Sequence, residues 1–372
     1  MKRLELDIDQ FWIDDEKAHQ DNCFSKDAPQ VALGIRMSSE CVFEELGVQG
    51  DPWAPINPVK QNEWNKRYND KAEKIVGKRL LPEDYPPEIH RFPYVKRIGE
   101  VFGGSYKLLE DSSEWLTESV SNEKELESLL DRVDKLDLRD FMLPPNWEKE
   151  KKRLFEMYGL KPEPQRHVRG PITLACSIMG SENFLFLCMD EPDLAKRFSD
   201  TIARVIIDMT KISDQEANVD EKTLRGFSFA DDNCCLLTPE IYEWFGYPIL
   251  KNVFDHFSPD SSDWRFQHSD SGMEHLLPVL GRLHFSAVNF GPTVLVPAIR
   301  KYMPDTCIQG CLAPFAFMRN DEKEITMQVL RDCEDAKDQK GLLLTTAGSI
   351  NNGSSLESMR LVMALIQNYG KG

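Results

Sequence analysis

The sequence predicts an α/β fold, specifically a (β/α)8 TIM barrel with an N-terminal extension. Seven short apolar runs alternate with helix-like segments, which is the spacing of βαβ units. Most of these runs end in polar or small residues directly before the next helix-like segment. In parallel sheets such strand ends carry ligands and catalysis. The chain has 372 residues, which is enough for one barrel, and we expect a single domain over 1–372.

The predicted strands are short apolar runs bounded by turn residues. They begin near 31 and 168 and end near 232, 268, 289, 310 and 347. An eighth strand is expected between 50 and 120. Residues 1–30 are polar and have no strong period, so they are predicted to form an irregular lead-in arm. Residues 61–105 are charged and broken by prolines, and we expect only a few short helices there.

The predicted helices are identified by caps and by apolar residues at helical spacing. They cover 122–136, 145–163, 192–217, 238–250 and a final helix that begins at a capping box, Ser354-Ser355-Leu356-Glu357. Residues 105–109 and 115–120 flank a short polar turn and are predicted to form a hairpin. The run 168–175 is predicted to be a strand, interrupted at Gly170-Pro171.

The charge balance excludes one class of function. The chain has 62 acidic and 45 basic residues, for a net charge of −17. Such a field repels phosphate backbones, so a nucleic-acid partner is not expected.

The location of the protein is predicted from three features. No apolar run approaches the roughly 20 residues that span a bilayer, so no membrane partner is expected. The N-terminus has no apolar core of a signal peptide. Nine cysteines, an odd number without a CxxC spacing, are typical of reduced thiols rather than of a disulfide framework. Together these features predict a cytoplasmic protein.

His268 and Asp270 are the strongest candidate functional residues. They lie two positions apart at a strand end, so their side chains share a face. A histidine and a carboxylate placed together bind a metal or act as an acid–base pair. The alternative is a histidine that only hydrogen-bonds within a capping loop.

Further candidates follow three other strands. Asp231 and Asp232 are adjacent carboxylates, and they either bind substrate or cap the next helix. Asn289 and Gln309 are placed to hydrogen-bond a substrate, or else they satisfy loop backbone. Cys311 lies just past a strand end, where a buried structural cysteine is the alternative to a functional one.

Four segments resemble the uroporphyrinogen decarboxylase superfamily. They are 170–175 (GPITLA), Thr238-Pro239-Glu240-x-Tyr242, His268-x-Asp270 before a leucine-rich helix, and the closing strand, polar loop and helix. The resemblance covers residues 165–372 well and the first half loosely. It implies a (β/α)8 barrel that acts either as a decarboxylase or as a methyltransferase working between corrinoids and thiols or folates.

The sequence departs from the decarboxylase branch. Ser177 stands where that branch has a tyrosine, and Arg36 is the lone arginine in a segment that is rich in arginine there. An octa-anionic porphyrinogen needs several fixed cations, because buried carboxylates must be paired. Arg36 is therefore assigned to an anionic group of a smaller substrate.

The resemblance to the methyltransferase branch implies a zinc site. That branch binds zinc through a His-x-Cys pair and a later cysteine. Here the pair is His268-x-Asp270, and the later cysteine is replaced, approximately by Gly348. Cys311 is assigned as a third ligand. The adjacent pair Cys234 and Cys235 is the alternative.

We therefore expect a methyltransferase that moves a methyl group between a corrinoid (cobalamin) protein and a small thiol, folate or methylated substrate. His268 and Asp270 hold zinc or polarise the methyl-bearing atom, and Asp232 and Asn289 orient the substrate. A homodimer is compatible with a barrel of this size. The first alternative is a decarboxylase acting on a smaller substrate, in which Asp232 stabilises a cationic intermediate. The second is a non-catalytic module that binds a corrinoid or another tetrapyrrole.

Overall fold

A computed structural model describes residues 4–108, 114–220, 223–348 and 353–371. All seven strands predicted for the sheet are present in it. The strands, in chain order, are β1 Ala32–Leu33, β2 Tyr106–Leu108, β3 Glu114–Leu116, β4 His167–Arg169, β5 Phe227–Ala230, β6 Arg265–Ser269, β7 Ala287–Phe290, β8 Cys307–Leu312 and β9 Leu342–Thr346.

The helices fill the intervals between the strands. They are α1 Ile8–Ala18, α2 Ser39–Leu46, α3 Pro58–Val76, α4 Ile98–Val101, α5 Glu123–Val133, α6 Leu138–Met142, α7 Trp147–Tyr158, α8 Pro171–Met179, α9 Ser181–Asp190, α10 Pro192–Ala217, α11 Pro239–Phe257, α12 Leu277–Leu280, α13 Val296–Tyr302, α14 Pro314–Met318, α15 Glu322–Ala336 and α16 Leu356–Tyr369.

The chain divides into two compact units. Unit 1 comprises Met1–Tyr85, His268–Leu277 and Ser286–Gly372, and unit 2 comprises Pro86–Gln267 and Pro278–Phe285. The boundary falls inside β6, whose first three residues belong to unit 2 and whose last two, His268 and Ser269, belong to unit 1.

Unit 1 contains four parallel strands in the order β1, β9, β8, β7. The register pairs Ile308 with Leu342, and both side chains are almost fully buried. Strands buried on both faces read as continuous apolar runs, as β9 does (LLLTT). Helix α16 packs on α15 and has the predicted buried stripe. Its cap is Ser355, whose hydroxyl accepts from Ser358 N, one residue after the Ser354 that the predicted capping box implies.

Unit 2 contains the parallel pair β4–β5, with Val168 opposite Phe229. Helices α10 and α11 pack closely around a cluster of buried aromatic rings, in which Phe184 meets Phe245 edge to face at 4.8 Å. The predicted hairpin is confirmed as the antiparallel pair β2–β3, and its turn at 109–113 lies outside the described residues.

The N-terminal segment differs from the prediction. Helix α1 occupies part of the stretch predicted to be an irregular arm, because Asp7 caps it through Gln10 N and because Phe11, Asp15 and Ala18 recur on one buried face. The Asp15 carboxylate accepts a hydrogen bond from Leu33 N at 2.7 Å, which ties this helix to β1. The helix was not predicted because it has only one narrow buried stripe within a polar sequence.

The region 50–120 also differs from the prediction. Helix α3 is 19 residues long where only short helices were expected, and it starts with Asn57 as cap and Pro58 in the first turn. In the described part of this region the strands are β2 and β3, which pair antiparallel with each other. The eighth strand of the parallel sheet is therefore not found among those residues.

No single helix in the described ranges is long and apolar enough to cross a membrane; α8 and α9 meet the length and composition test only as a pair, bent by 105°.

Candidate active site at the strand ends

Residue Asn289 of β7 organises the polar end of unit 1. Its side-chain amide donates to two strand carbonyls, Gln309 O at 2.5 Å and Thr346 O at 3.2 Å. Its Oδ1 accepts from Gly348 N at 3.0 Å and lies 2.7 Å from His268 Nδ1. The amide has two donor hydrogens and two acceptor lone pairs, so the protein itself uses all of them.

This network fixes the tautomer of His268. The orientation of the Asn289 amide is set by backbone groups of known polarity, because carbonyls only accept and the Gly348 N–H only donates. Oδ1 must therefore face the imidazole, and Nδ1 must donate the proton of that 2.7 Å contact. In the neutral ring Nε2 then carries the lone pair, which makes it the basic or metal-ligating atom.

Asp270 lies beside the same imidazole. A Cβ atom placed on Gly348 would be 3.6 Å from His268 Cε1 and 3.5 Å from Asp270 Oδ2. Gly348 has a φ of +77°, a conformation that favours glycine. Gly348 therefore lies close to both side chains, and its lack of a side chain leaves space beside them. His268 is half-buried and Asp270 is exposed.

The structure places the remaining unit 1 candidates differently. Gln309 is half-buried in β8, and it meets Asn289 through its carbonyl oxygen. Cys311 is fully buried, and burial raises the pKa of its thiol well above the usual value. Arg36 is exposed, three residues beyond β1.

In unit 2, Asp231 follows β5 and caps helix α8. Its buried carboxylate accepts from Thr173 N at 2.7 Å, from Thr173 Oγ1 at 2.9 Å and from Ile172 N at 3.4 Å. Burial raises the pKa of this carboxyl to about 6, although the hydrogen bonds act in the opposite direction. Asp231 therefore has a clear structural role. It caps α8, which precedes it in the chain, and not the next helix, as in the alternative raised from the sequence.

Asp231 also explains the GPIT motif. A Cβ atom on Gly170 would lie 2.1 Å from Asp231 Cβ, so only glycine permits this approach. Pro171 occupies the first turn of α8, and the Thr173 hydroxyl binds the carboxylate. The predicted strand 168–175 is therefore wrong beyond Arg169, because a carboxylate distant in sequence caps a helix at that point.

Asp232 begins a short 3-10 helix and is half-buried. It lines a cavity of about 560 Å³ in unit 2, together with Asn233, Thr173 and Arg169. The Thr173 hydroxyl accepts from Asn233 N at 3.0 Å, so this loop is held against α8. Of the two further cysteines considered, Cys234 is buried and Cys235 is half-buried.

Sequence reasoning missed Arg169. Its Nη1 donates to Ser177 Oγ at 3.0 Å, and that hydroxyl in turn donates to Thr173 O at 2.7 Å. The available signal was the position of Arg169 at the end of β4, directly before the GPIT motif.

The comparisons with known proteins agree with this architecture. The family model described as uroporphyrinogen decarboxylase (URO-D) matches residues 167–369, which is more than half of the chain. The chain belongs to the uroporphyrinogen decarboxylase family. This confirms the resemblance drawn from the motifs after residue 165. It also confirms the fold class, an α/β TIM barrel with an N-terminal helical extension.

A solved structure is similar over nearly its whole length. It is described as a methyltransferase from Methanosarcina mazei, with a TM-score of 0.58 and 14% sequence identity, covering 98% of this chain and 99% of that one. At that identity the likeness shows the fold. No curated protein sequence matches the chain.

Proposed function

We propose that this member of the uroporphyrinogen decarboxylase family is a methyltransferase, with a corrinoid-bound methyl group and a small thiol, folate or methylated compound as substrates. The observation that carries the proposal is the His268–Asn289–Gly348 network, which directs the lone pair to Nε2 beside Asp270. The methyltransferase of similar fold supports the same reaction class.

The donor set suits a divalent cation. His268 Nε2 and an Asp270 oxygen are nitrogen and oxygen ligands that Zn²⁺ accepts. Ligating histidines commonly donate their other N–H to a neighbouring acceptor, which is the role that Asn289 plays here. Burial of Cys311 disfavours the thiolate that a zinc ligand must supply, so the proposed site rests on His268 and Asp270. Zinc bound there would lower the pKa of a bound thiol.

The protein groups have separate tasks in methyl transfer to a thiol. The sulfur must lose its proton before it accepts the methyl group. Without a metal, His268 Nε2 is the base oriented to receive that proton; with zinc on Nε2, the lowered pKa of the bound thiol would release the proton instead. The Nδ1 hydrogen bond to Asn289 persists in both protonation states of the ring, so the imidazole keeps its orientation. Asp232 and Arg36 remain proposed substrate-binding residues.

Demethylation of methylcobalamin tests the proposal. We expect the corrin absorbance to change in the presence of a panel of small thiols, and the rate to fall about 100-fold or more in His268→Ala and in Asp270→Ala. The exposed His275→Ala is the matched control and keeps the rate. Free methylcobalamin stands in for the proposed corrinoid protein. Turnover that survives His268→Ala would overturn the assignment.

Metal analysis separates the two roles of His268. Protein purified without chelators is expected to contain one zinc per chain, and His268→Ala and Asp270→Ala to lose it while His275→Ala retains it. Absence of metal from active wild-type protein would leave His268 as a metal-free base.

A decarboxylase acting on a small substrate is the second candidate. The matched family model carries that description, and Asp232 lines the 560 Å³ cavity in unit 2. In this case Asp232→Asn abolishes release of CO₂ and no metal is required. Decarboxylation that survives this change would reject the candidate. Binding of methylcobalamin without turnover of any substrate would instead support a corrinoid-binding module.

A further inference from the structure

Unit 2 contains a second cavity with a different lining. Its volume is about 420 Å³, within the range of small-molecule sites. Its wall is mostly apolar, contributed by β5, by α10 and by shorter segments. These residues are Ile98, Met142, Val168, Ile206, Met209 and Phe227.

The two cavities of unit 2 adjoin each other. Both are lined by Glu114, His167 and Arg169, which therefore lie where the two meet. The 560 Å³ cavity also has Glu118 and Asp232 in its wall, whereas Glu114 is the carboxylate in the wall of the 420 Å³ cavity. An anion is thus favoured on the side of the smaller, apolar cavity.

The carboxylate of Glu114 is already neutralised. Arg97 Nη1 donates to Glu114 Oε2 at 2.7 Å, and the same guanidinium stacks on the Tyr106 ring, 3.3 Å from its centroid. Arg97 and Glu114 therefore form a pair with no surplus charge in the cavity wall.

Arg169 is the surplus cation. Among the residues that the structure describes, it has no carboxylate partner, and its guanidinium donates to the Ser177 hydroxyl. That hydrogen bond uses one of five N–H donors and fixes the fork in place. In a chain of net charge −17, a half-buried guanidinium that is held in position with no anionic partner among the described residues needs an explanation.

We propose that the apolar cavity binds a small arylcarboxylate, a compound with one ring and one carboxylate, with the carboxylate on Arg169. The guanidinium can donate to both carboxylate oxygens at once. The ring of the ligand packs against the wall formed by Met209, Ile206 and Phe227. This site lies within unit 2, and its test by ligand binding does not depend on the proposed methyl transfer.

Calorimetric titration with phenylacetate and with its neutral analogue phenylacetamide tests the site. Phenylacetate is expected to bind once per chain, and phenylacetamide about tenfold more weakly, because a charge-assisted hydrogen bond is lost. Arg169→Gln weakens phenylacetate binding about tenfold and leaves phenylacetamide binding nearly unchanged. Met209→Trp fills the cavity and weakens both. Arg204→Gln is the control, since Arg204 lies on the same helix α10 but pairs with Asp134 at the surface.

Three results would overturn the proposal. They are no binding of phenylacetate at about 10 mM, equal binding of the acid and the amide, and full binding in Met209→Trp. Thermal unfolding of each variant verifies its fold. If Arg169→Gln does not fold, Met209→Trp and the comparison of acid with amide still decide the question.

Discussion

The side chain of Asn289 hydrogen-bonds to His268 and is buried from solvent. It is only 8% exposed, and its amide joins three strand ends of unit 1. From the sequence it was assigned to substrate binding, because an asparagine at a strand end commonly faces a ligand. The geometry supports a positioning role within the proposed reaction, in which Asn289 would act on a substrate through the imidazole.

Replacing Asn289 with alanine tests this role. We expect His268 to lose its preference for the Nδ1–H tautomer, and the free energy of unfolding to fall by about 2 kcal/mol, since buried strand carbonyls lose their donor. Imidazole ¹⁵N shifts report the tautomer, and urea titration reports the stability. Unchanged ¹⁵N shifts in Asn289→Ala would show that the hydrogen bond does not orient the ring.

Asp231 makes stability depend on pH in a defined window. Its pKa is raised from 3.8 to about 6 in the folded chain, so folding favours the protonated form. This contribution is fully present below about pH 4 and is lost as pH rises to about 6; two pKa units correspond to about 3 kcal/mol. We expect Asp231→Asn to remove this component from urea-unfolding curves measured between pH 4 and 7.

The exposed Asp260→Asn is the control for Asp231 and should follow the wild-type curve. A wild-type curve that matches Asp231→Asn throughout this window would show that the Asp231 pKa is not raised.

At the scale of elements, helix α8 depends on a carboxylate from the end of β5. Four orphan N–H groups open every helix, and here Asp231 meets those of Ile172 and Thr173. The approach requires glycine at position 170, since any side chain would overlap Asp231. This contact joins the end of β4 to the end of β5, and so shapes the wall of the cavity near Asp232.

We expect Gly170→Ala to lower the free energy of unfolding by about 3 kcal/mol, because the added methyl group has no space beside Asp231. Gly272→Ala is the matched control, since its nearest neighbour would be 3.5 Å away. Urea denaturation of both variants provides the comparison. Equal stability of the two variants would contradict the close approach.

At the scale of the whole molecule, the net charge of −17 opposes compaction. Many carboxylates form local pairs, such as Glu216 with Arg139 and Lys151, but the excess is not neutralised. Mutual repulsion destabilises a folded chain, and salt screens charges separated by more than about 10 Å at 0.1 M.

Raising sodium chloride from about 0.02 to 0.2 M is therefore expected to raise Tm by roughly 2–5 °C. Differential scanning calorimetry measures the shift, and a matched series in sucrose separates screening from solute exclusion. A fall in Tm with salt would mean that the local ion pairs outweigh the general repulsion.

The sequence by itself determined the approximate positions of the seven strands of the sheet and of many of the helices. Alternating apolar runs, caps such as Thr238, and prolines in first turns act over a few residues, so their effect is visible in the sequence. The motifs after residue 165 identified the family on the same local basis. Helices α1 and α3 were missed because their buried stripes are narrow within polar sequence.

Only the tertiary structure decided what the polar strand ends do. The orientation of the His268 ring depends on Asn289, 21 residues away, and on Gly348, 59 residues beyond Asn289. The helix that starts at Pro171 depends on Asp231, and the charge of Arg169 gains its significance from the cavity around it. Such roles depend on contacts between segments that are distant in sequence. A local sequence pattern identifies each residue but does not predict the residue that it contacts in the folded chain.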